Sequence, residues 1–495
     1  MDKKIKKIKK ILAATGVAAA IGTNAYRASK FKPEPRKWAP LPDTKVDVDK
    51  FACDLSDAIK IKTISNLDPD KVDWAEFDKF HAFLEERFPL LHENLEKEVI
   101  GKASLMFRWK GSNPDLDPIA LLGHQDVVPI SAGTEGDWVH PPFSGVIADG
   151  FIWGRGALDM KNHLIGVCEA VESLLGEGFV PVRDVYLLFG HNEEVLAEGS
   201  NNGAMLMCRT LKDRGIRLDC VIDEGGAIIP VNAKGIITKE LAGIGIAEKG
   251  HCDFEISVYA KGGHSSQPPK HTALGELADV IKDLENNQFK AKISPLMDEL
   301  FTKIGKNTSL PVRQILCNYK LLKPVVLQVC KQIPPAASML RTTTAVTMAS
   351  GSPAANVLPQ KASIVANFRI MPGQTVSDVE DHIKKVVRNK NIEVRLIKGS
   401  DPSNISPTDS RCFKALDDIC YRMNTNSIVA PYLVMGGTDA RNYEPICDNV
   451  YRYSPFKFDT ELLLTTHGTN ERCPLECLEK AVKFFKHYIT IVSAE

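Results

Sequence analysis

Three apolar runs of strand length, Pro118–Leu122, Val185–Phe189 and Cys220–Ile222, each give way within a few residues to histidine or carboxylates. The first leads to His124 and Asp126, the second to Glu193 and Glu194, the third to Asp223 and Glu224. Helical patterns lie between the runs, as in Leu164–Leu175 and Gly203–Arg214. Such alternation specifies an α/β layer with a largely parallel sheet, because parallel neighbours need a crossover that a helix supplies. In these sheets ligands bind beyond the carboxyl ends of the strands. The polar residues that end the runs are therefore expected to converge on one sheet edge, which solvated loops have no need to do.

A different pattern follows Lys249. Phe254, Ile256 and Val258 alternate as a half-buried strand, and Leu274, Leu277, Ile281 and Leu284 share one helical face. Thr342–Ala349 and Ala362–Ile370 then read as strands, Val376, Val379, Ile383 and Val386 as a helix, and Ile392–Ile397 as a last strand. With 289–339 set aside as an insertion, the order is β-α-β-β-α-β, the ferredoxin-like order. A chain of 495 residues exceeds one core, and the expected organisation is a large α/β domain over 46–249 and 401–495. An α+β domain at 250–400 is inserted in it, with hinges near Glu248–Gly250 and Gly399–Pro402. The second part ends in an amphipathic helix, Leu475–Val492.

Residues 1–45 are expected to lie outside the fold. Lys3, Lys4, Lys6, Lys7, Lys9 and Lys10 precede an apolar stretch, Ile11–Gly22, and Lys32–Pro42 is a proline-rich linker. The apolar stretch falls short of the roughly 20 residues that span a bilayer. It reads as a basic helix resting on the protein or on anionic lipid, or as a signal-like anchor. The expected location is membrane-associated through this segment, and otherwise cytoplasmic. Lys+Arg and Asp+Glu both number 62, so the net charge of +0 gives no chain-wide case for nucleic acid as a partner. The twelve cysteines contain no CxxC pair, which excludes a zinc ribbon or a thioredoxin-type motif and suits buried thiols.

Chemistry sharpens the convergence. On a strand, residues two apart share a face, so Asp126 can orient His124 as a metal ligand, although a histidine satisfied at a strand end has the same sequence. Asp159 sits in a glycine-rich turn, Gly154–Lys161, that opens a helix, and suits either an N-terminal cap or a ligand. Adjacent carboxylates such as Glu193 and Glu194 repel unless a cation takes one of them. One or two histidines with three or four carboxylates suit two divalent metals about 3.5 to 4 Å apart, bridged by a carboxylate and an activated water. Mixed imidazole and carboxylate donors favour Zn2+, with Co2+ or Mn2+ as alternatives.

Six motifs in order extend the reading: Gly123–Pro129, Gly154–Lys161, Glu193-Glu194, Asp223–Gly226, Gly262–Ser266 and His467–Glu471. Together they resemble the dinuclear-zinc metallopeptidases that include aminoacylase, carboxypeptidase S, carboxypeptidase G, succinyl-diaminopimelate desuccinylase and the N-acyl-amino-acid hydrolases. The resemblance runs from about residue 50 to the C-terminus. It implies an α/β, zinc-exopeptidase-like catalytic domain with an inserted ferredoxin-like lid that also serves dimerisation in relatives, so a homodimer is part of the expectation. It further implies that Asp159 bridges the metals, that His124 and Asp223 complete one site, and that Glu194 and His467 complete the other. Asp126 would orient His124, Glu193 would be the general base, and His264 would reach the transition-state oxyanion, although a histidine after two glycines equally suits a turn.

Substrate residues follow from two more motifs. Asn356 in Asn356–Pro359 resembles the family's substrate-contacting asparagine, and Arg441 in Gly436–Arg441 suits a bidentate grip on a free α-carboxylate or a surface salt bridge. Three positions depart from the family: His191-Asn192 where an aspartate is common, Met160 where a second aspartate is frequent, and Ser400-Asp401-Pro402 where carboxypeptidase G has arginine. None removes a ligand, and the last favours the carboxypeptidase S and N-acyl-amino-acid hydrolase branch. The expected function is hydrolysis of an amide bond beside a free carboxylate, in a short peptide or an N-acyl amino acid. A non-catalytic relative of the same fold, and an ester or lactam hydrolase on the same metals, are the competing readings.

Overall fold

The first two apolar runs lie side by side and parallel, Ile119–His124 against Val185–Gly190, and Cys220–Asp223 flanks the other edge of Ile119–His124 in the computed structural model. It describes residues 22–494 apart from 196–198, 234–235 and 390, so the basic run and most of the apolar stretch expected at the N-terminus lie outside the described residues. Every residue of Ile119–His124 and Val185–Gly190 is buried. Continuous apolar runs are what parallel strands covered on both faces require. Outward from this centre the sheet turns mixed, with Val450–Arg452 parallel to Cys220–Asp223, and Ser104–Trp109 antiparallel to Val185–Gly190. At the far margin Ser427–Val434 runs parallel to the long strand Ile237–Glu248.

Helices cover both faces. Leu121, Leu187 and Ile222 join one core with residues of the helices Val48–Lys60, Lys161–Gly176, Arg411–Met423 and Leu478–Val492. Ala120, Leu188 and Val221 face the opposite core, with Met207 and Leu211 of the helix Gly203–Asp213 and with Ala440 and Tyr443. Asn202 caps that last helix by accepting the Met205 N–H at 2.7 Å. Its start is thereby fixed beside the loop that carries Glu193 and Glu194.

The strand Ile237–Glu248 leads through Lys249 into Gly250–Tyr259, the first strand of a second sheet. That sheet has the order Thr343–Ser350, Lys361–Ile370, Gly250–Tyr259, Ile392–Ser400, all antiparallel. Ala362, Ile364, Ala366, Phe368 and Ile370 alternate inward beneath the helices Ala273–Asn286 and Val376–Val386. Each large side chain so buried contributes about 1.5–3 kcal/mol, which gives the lid a core of its own. At the junction Ser403 Oγ accepts the Glu248 N–H at 2.7 Å. A Cβ on Gly250 would stand 2.6 Å from both Pro402 N and Ser400 O, so the two crossing segments touch where only glycine fits.

Two stretches pack differently from the sequence expectation. The insertion 289–339, counted there with the lid, covers the large sheet: its Met297 and Leu300 pack on Ile237, Leu241, Ile428 and Ala430. The reason is that Ser427–Val434 is apolar on both faces. Val429 and Leu433 already face the helix Arg411–Met423, which leaves Ile428 and Ala430 to be covered from the other side. Residues 22–45, set outside the fold, are docked on it. Ala28 is fully buried, Arg27 donates to Asn318 Oδ1 at 3.0 Å, and Arg422 Nε donates to the Ala39 carbonyl at 2.8 Å. All twelve cysteines are unpaired, and nine are buried. Among the described residues no helix is long and apolar enough to cross a membrane.

Candidate metal centre

His124 closes its strand with Nε2 3.1 Å from Asp159 Oδ1 and 3.3 Å from Glu224 Oε1. The other Asp159 oxygen lies 3.0 Å from His467 Nε2, which is 2.9 Å from Glu194 Oε2. Two ligating groups result, His124–Asp159–Glu224 and Asp159–Glu194–His467, and the ligand atoms of each lie within 4.8 Å of one another. Asp159 belongs to both. Its carboxylate therefore stands where two adjoining cations would share a ligand.

The glycine-rich turn that carries Asp159 is held from the far end of the chain. Glu471, fully buried, accepts the N–H groups of Leu158 at 2.9 Å and Asp159 at 3.2 Å, and its other oxygen pairs with Arg155. Gly156 has φ +86°, and a Cβ there would press to 2.7 Å from Val127 Cγ1. The turn is thus wedged against the loop that follows His124.

Asp126 does more than orient a ring. Its Oδ1 is 3.4 Å from His124 Nδ1, which also lies 2.9 Å from the Asp126 carbonyl oxygen. The same carboxylate accepts the N–H groups of Glu193 at 3.2 Å and Glu194 at 3.1 Å, and the Ser65 hydroxyl at 2.6 Å. Glu193 Oε2 stands 3.9 Å from His124 Nε2 and belongs to neither ligating group.

Asp223 departs from its expected place. Its Oδ2 accepts the Ala440 N–H at 2.9 Å and its Oδ1 the Glu224 N–H at 2.8 Å, and Glu224 takes the position beside His124. Strand alternation explains this: Asp223 shares the face of Val221, which looks toward Ala440 and Tyr443. An adjacent acidic pair announces that one carboxylate serves the site, and only the strand's facing decides which.

The electrostatics favour a cation. Burial raises the Glu224 carboxyl to about 8 and, with the Asp159 charge, the Glu194 carboxyl to about 7. Burial also pushes Glu193 well up, with further repulsion from Glu194 and Glu224. Hydrogen bonds to Asp159 and Glu194 push His467 up to about 10. Burial would raise Asp159 as well, but its bonds to His124 and His467 hold it far below the usual range. Protons on imidazoles thus offset carboxylates that repel one another. Glu194 Oε1 is buried and has no hydrogen-bond partner, an orphan acceptor that a metal would satisfy. The donor set, two imidazoles and three carboxylates, fits zinc or a similar divalent ion.

The substrate residues divide. Arg441 lines a cavity of about 410 Å³ with Glu193, Asn202, Thr438 and Asp439 of the large domain and with His251 and Lys398 of the lid. His264 and Asn356 come together elsewhere, on a short ribbon where Gly263–His264 pairs with Val357–Leu358 and Ser265 N–H donates to Asn356 O at 3.0 Å. They line a depression that contains none of the ligating residues, and His264 Nδ1 lies 2.8 Å from Ser266 Oγ. Sequence reasoning counted Glu224 among the converging acids but gave the ligand role to Asp223, and it missed Glu471, Arg155, Ser65, His251 and Lys398. Glu224 and Glu471 stood inside quoted motifs, whereas Ser65, His251 and Lys398 carry no local signal.

The fold has known counterparts. The pattern of peptidase family M20/M25/M40 matches residues 120–491. Over 439 residues the chain is 36% identical to a probable carboxypeptidase S-like protein of Dictyostelium discoideum, covering 88% of this chain and 83% of that one. It is 33% identical to the N-fatty-acyl-amino acid synthase/hydrolase of Bos taurus, covering 96% and 93%, and 30% identical to carboxypeptidase S of Saccharomyces cerevisiae, covering 89% and 83%. Among solved structures, the M20 family metallo-carboxypeptidase Sso-CP2 of Sulfolobus solfataricus superposes with a TM-score of 0.64 at 19% identity, over 90% of this chain and 99% of that one. Family pattern, relatives and cluster agree: the chain belongs to peptidase family M20/M25/M40 and is a metal-dependent amide hydrolase.

Proposed function

We propose that the protein hydrolyses an amide bond beside a free carboxylate, in N-acyl amino acids or short peptides, with two divalent metals. Zn2+ is the first choice, held by His124, Asp159 and Glu224 and by Asp159, Glu194 and His467. The observation that carries the reading is the position of Glu193, 3.9 Å from His124 Nε2, outside both ligating groups and lining the cavity that holds Arg441. A general base must stand near the metals without binding them. The relatives named as carboxypeptidase S and as an N-fatty-acyl-amino acid synthase/hydrolase support this substrate class.

Bound metals supply Lewis-acid polarisation of the scissile carbonyl and acidify water. Glu193 accepts a proton from the attacking water and delivers it to the amide nitrogen as the C–N bond breaks, so the products are a carboxylic acid and a free amine. Arg441 receives the substrate carboxylate, with the charge of Lys398 and the His251 ring on the lid side of the same cavity. His264 reaches the oxyanion only by motion of the lid or from a second copy of the chain, since it lines a separate depression. The second route requires a homodimer, and the lid's outer strands Thr343–Ser350 and Ile392–Ser400 are the edges available to pair.

The test is a comparison of zinc-loaded protein on dipeptides, N-acyl amino acids and simple esters lacking a carboxylate. Turnover of the carboxylate-bearing amides, lost in Glu193→Ala with metal content intact, is the expected result. Preference for the simple esters would replace amide by ester hydrolysis. Near-normal turnover by Glu193→Ala would remove the base.

A further inference from the structure

The insertion that covers the large sheet presents an outward face the catalytic reading does not use. Its helices Leu310–Leu316 and Lys323–Cys330 expose Leu310, Ile315, Leu321, Val325, Val329 and Ile333, at 53, 49, 77, 57, 57 and 50%. The last four recur every fourth residue, so they form one stripe along Lys323–Cys330 and its flanks. Val326 and Leu327 turn inward on the same helix. A soluble surface scatters its apolar residues singly, whereas a continuous stripe of this kind marks a contact.

Charge says what the contact is with. From Leu300 to Ser377 the chain contains no aspartate or glutamate, although the whole protein is electrically balanced. Lys320, Lys323 and Lys331 flank the stripe and are exposed, Lys320 with Asp298 3.8 Å away. Aliphatic side chains bordered by lysines suit a bilayer interface: the stripe enters the acyl boundary and the ammonium groups meet anionic headgroups. The N-terminal segment enters at the same place. Asn24 Oδ1 accepts from Cys317 Sγ at 3.6 Å, and Arg27 bonds Asn318, so the described N-terminal residues meet the turn that leads to Leu321.

We propose that the insertion stripe Leu321, Val325, Val329 and Ile333, with Leu310, Ile315 and the flanking Lys320, Lys323 and Lys331, docks the protein on an anionic lipid surface. Apolar insertion and attraction of the lysines to anionic headgroups together give firmer attachment than either alone. This surface is independent of the metal centre, so its failure leaves the catalytic reading untouched.

The experiment is co-sedimentation of the full-length, metal-loaded protein with phosphatidylcholine vesicles, with and without phosphatidylserine. Leu321→Ser, Val325→Ser and Val329→Ser are combined in one variant, and Lys320→Glu, Lys323→Glu and Lys331→Glu in another. Hydrolysis of a short, soluble N-acyl amino acid checks that both remain folded. The expected result is binding only to the phosphatidylserine vesicles, weakened at least about tenfold in each variant and by high salt, with hydrolysis unchanged. Unaltered binding in the serine variant would assign docking to the N-terminal segment alone and overturn the proposal. So would absence of vesicle binding by the unaltered protein, including the case where the serine variant changes only the oligomeric state, since the stripe would then join two copies.

Discussion

Asp126 Oδ2 accepts the backbone N–H of Glu194 at 3.1 Å. The carboxylate expected to steady one candidate ligand, His124, thereby also holds the loop that carries another, Glu194, and the proposed base, Glu193.

Asp126→Asn turns one acceptor oxygen into an NH2 group that faces a backbone N–H of Glu193 or Glu194. We expect metal affinity to fall about 10- to 100-fold, as for other residues that steady a ligand, and kcat to fall further because Glu193 shifts as well. Zinc titration and steady-state kinetics on the same preparation measure both. Wild-type values for both would show that the loop holds itself.

The two acids after Ile222 separate cleanly. Glu224→Gln should lose one metal per chain, whereas Asp223→Asn should keep both and lose thermal stability, because its bond to the Ala440 N–H is weakened. Elemental analysis and a melting curve decide. Metal loss in Asp223→Asn alone would return the ligand role to Asp223.

For His264, losing an oxyanion donor typically costs about 100- to 1,000-fold in turnover with metal binding unchanged. His264→Ala mixed with Glu193→Ala tests where the imidazole comes from. Recovered activity means that one copy completes the site of another. No recovery, under conditions where labelled subunits are seen to exchange, means that each chain completes its own site by moving its lid.

Away from the site, Glu169 lies 2.8 Å from Lys50 Nζ beside Asp54. Burial raises its carboxyl to about 8, against the pull of Lys50. The folded state therefore holds this proton more tightly than the unfolded chain, whose carboxyl titrates near 4.5. The associated stability is fully present below 4.5 and is lost as pH rises through 8. Glu169→Gln should match the wild type near about pH 5 and unfold at higher urea by about pH 9. A gap that stays constant across that range would contradict the shifted carboxyl.

Legibility followed the range of the forces. The alternation Phe254, Ile256, Val258 and the helical face Leu277, Leu284 are local patterns with single physical readings, and both stand in the lid core. His124 and Glu194 were legible because strand ends in such a sheet must meet, whereas Asp159 and His467, on a turn and a loop, were legible only through the motifs that carry the resemblance, and the structure gathers all four. The insertion was misplaced because its amphipathic helices state that they need an apolar partner without naming it. The partner, Ile428 and Ala430, lies more than a hundred residues on.

The residue types and their order therefore determined the fold class, the family and the chemistry of the centre, since periodicity and strand-end acids are written along the chain. Only the tertiary structure decided that Glu224 faces His124 while Asp223 faces Ala440, that Glu471 braces the turn of Asp159, and that His264 stands apart from the metals. Those outcomes depend on which way a strand end turns and on contacts between residues hundreds of positions apart, where neighbours in space are set by packing and not by spacing.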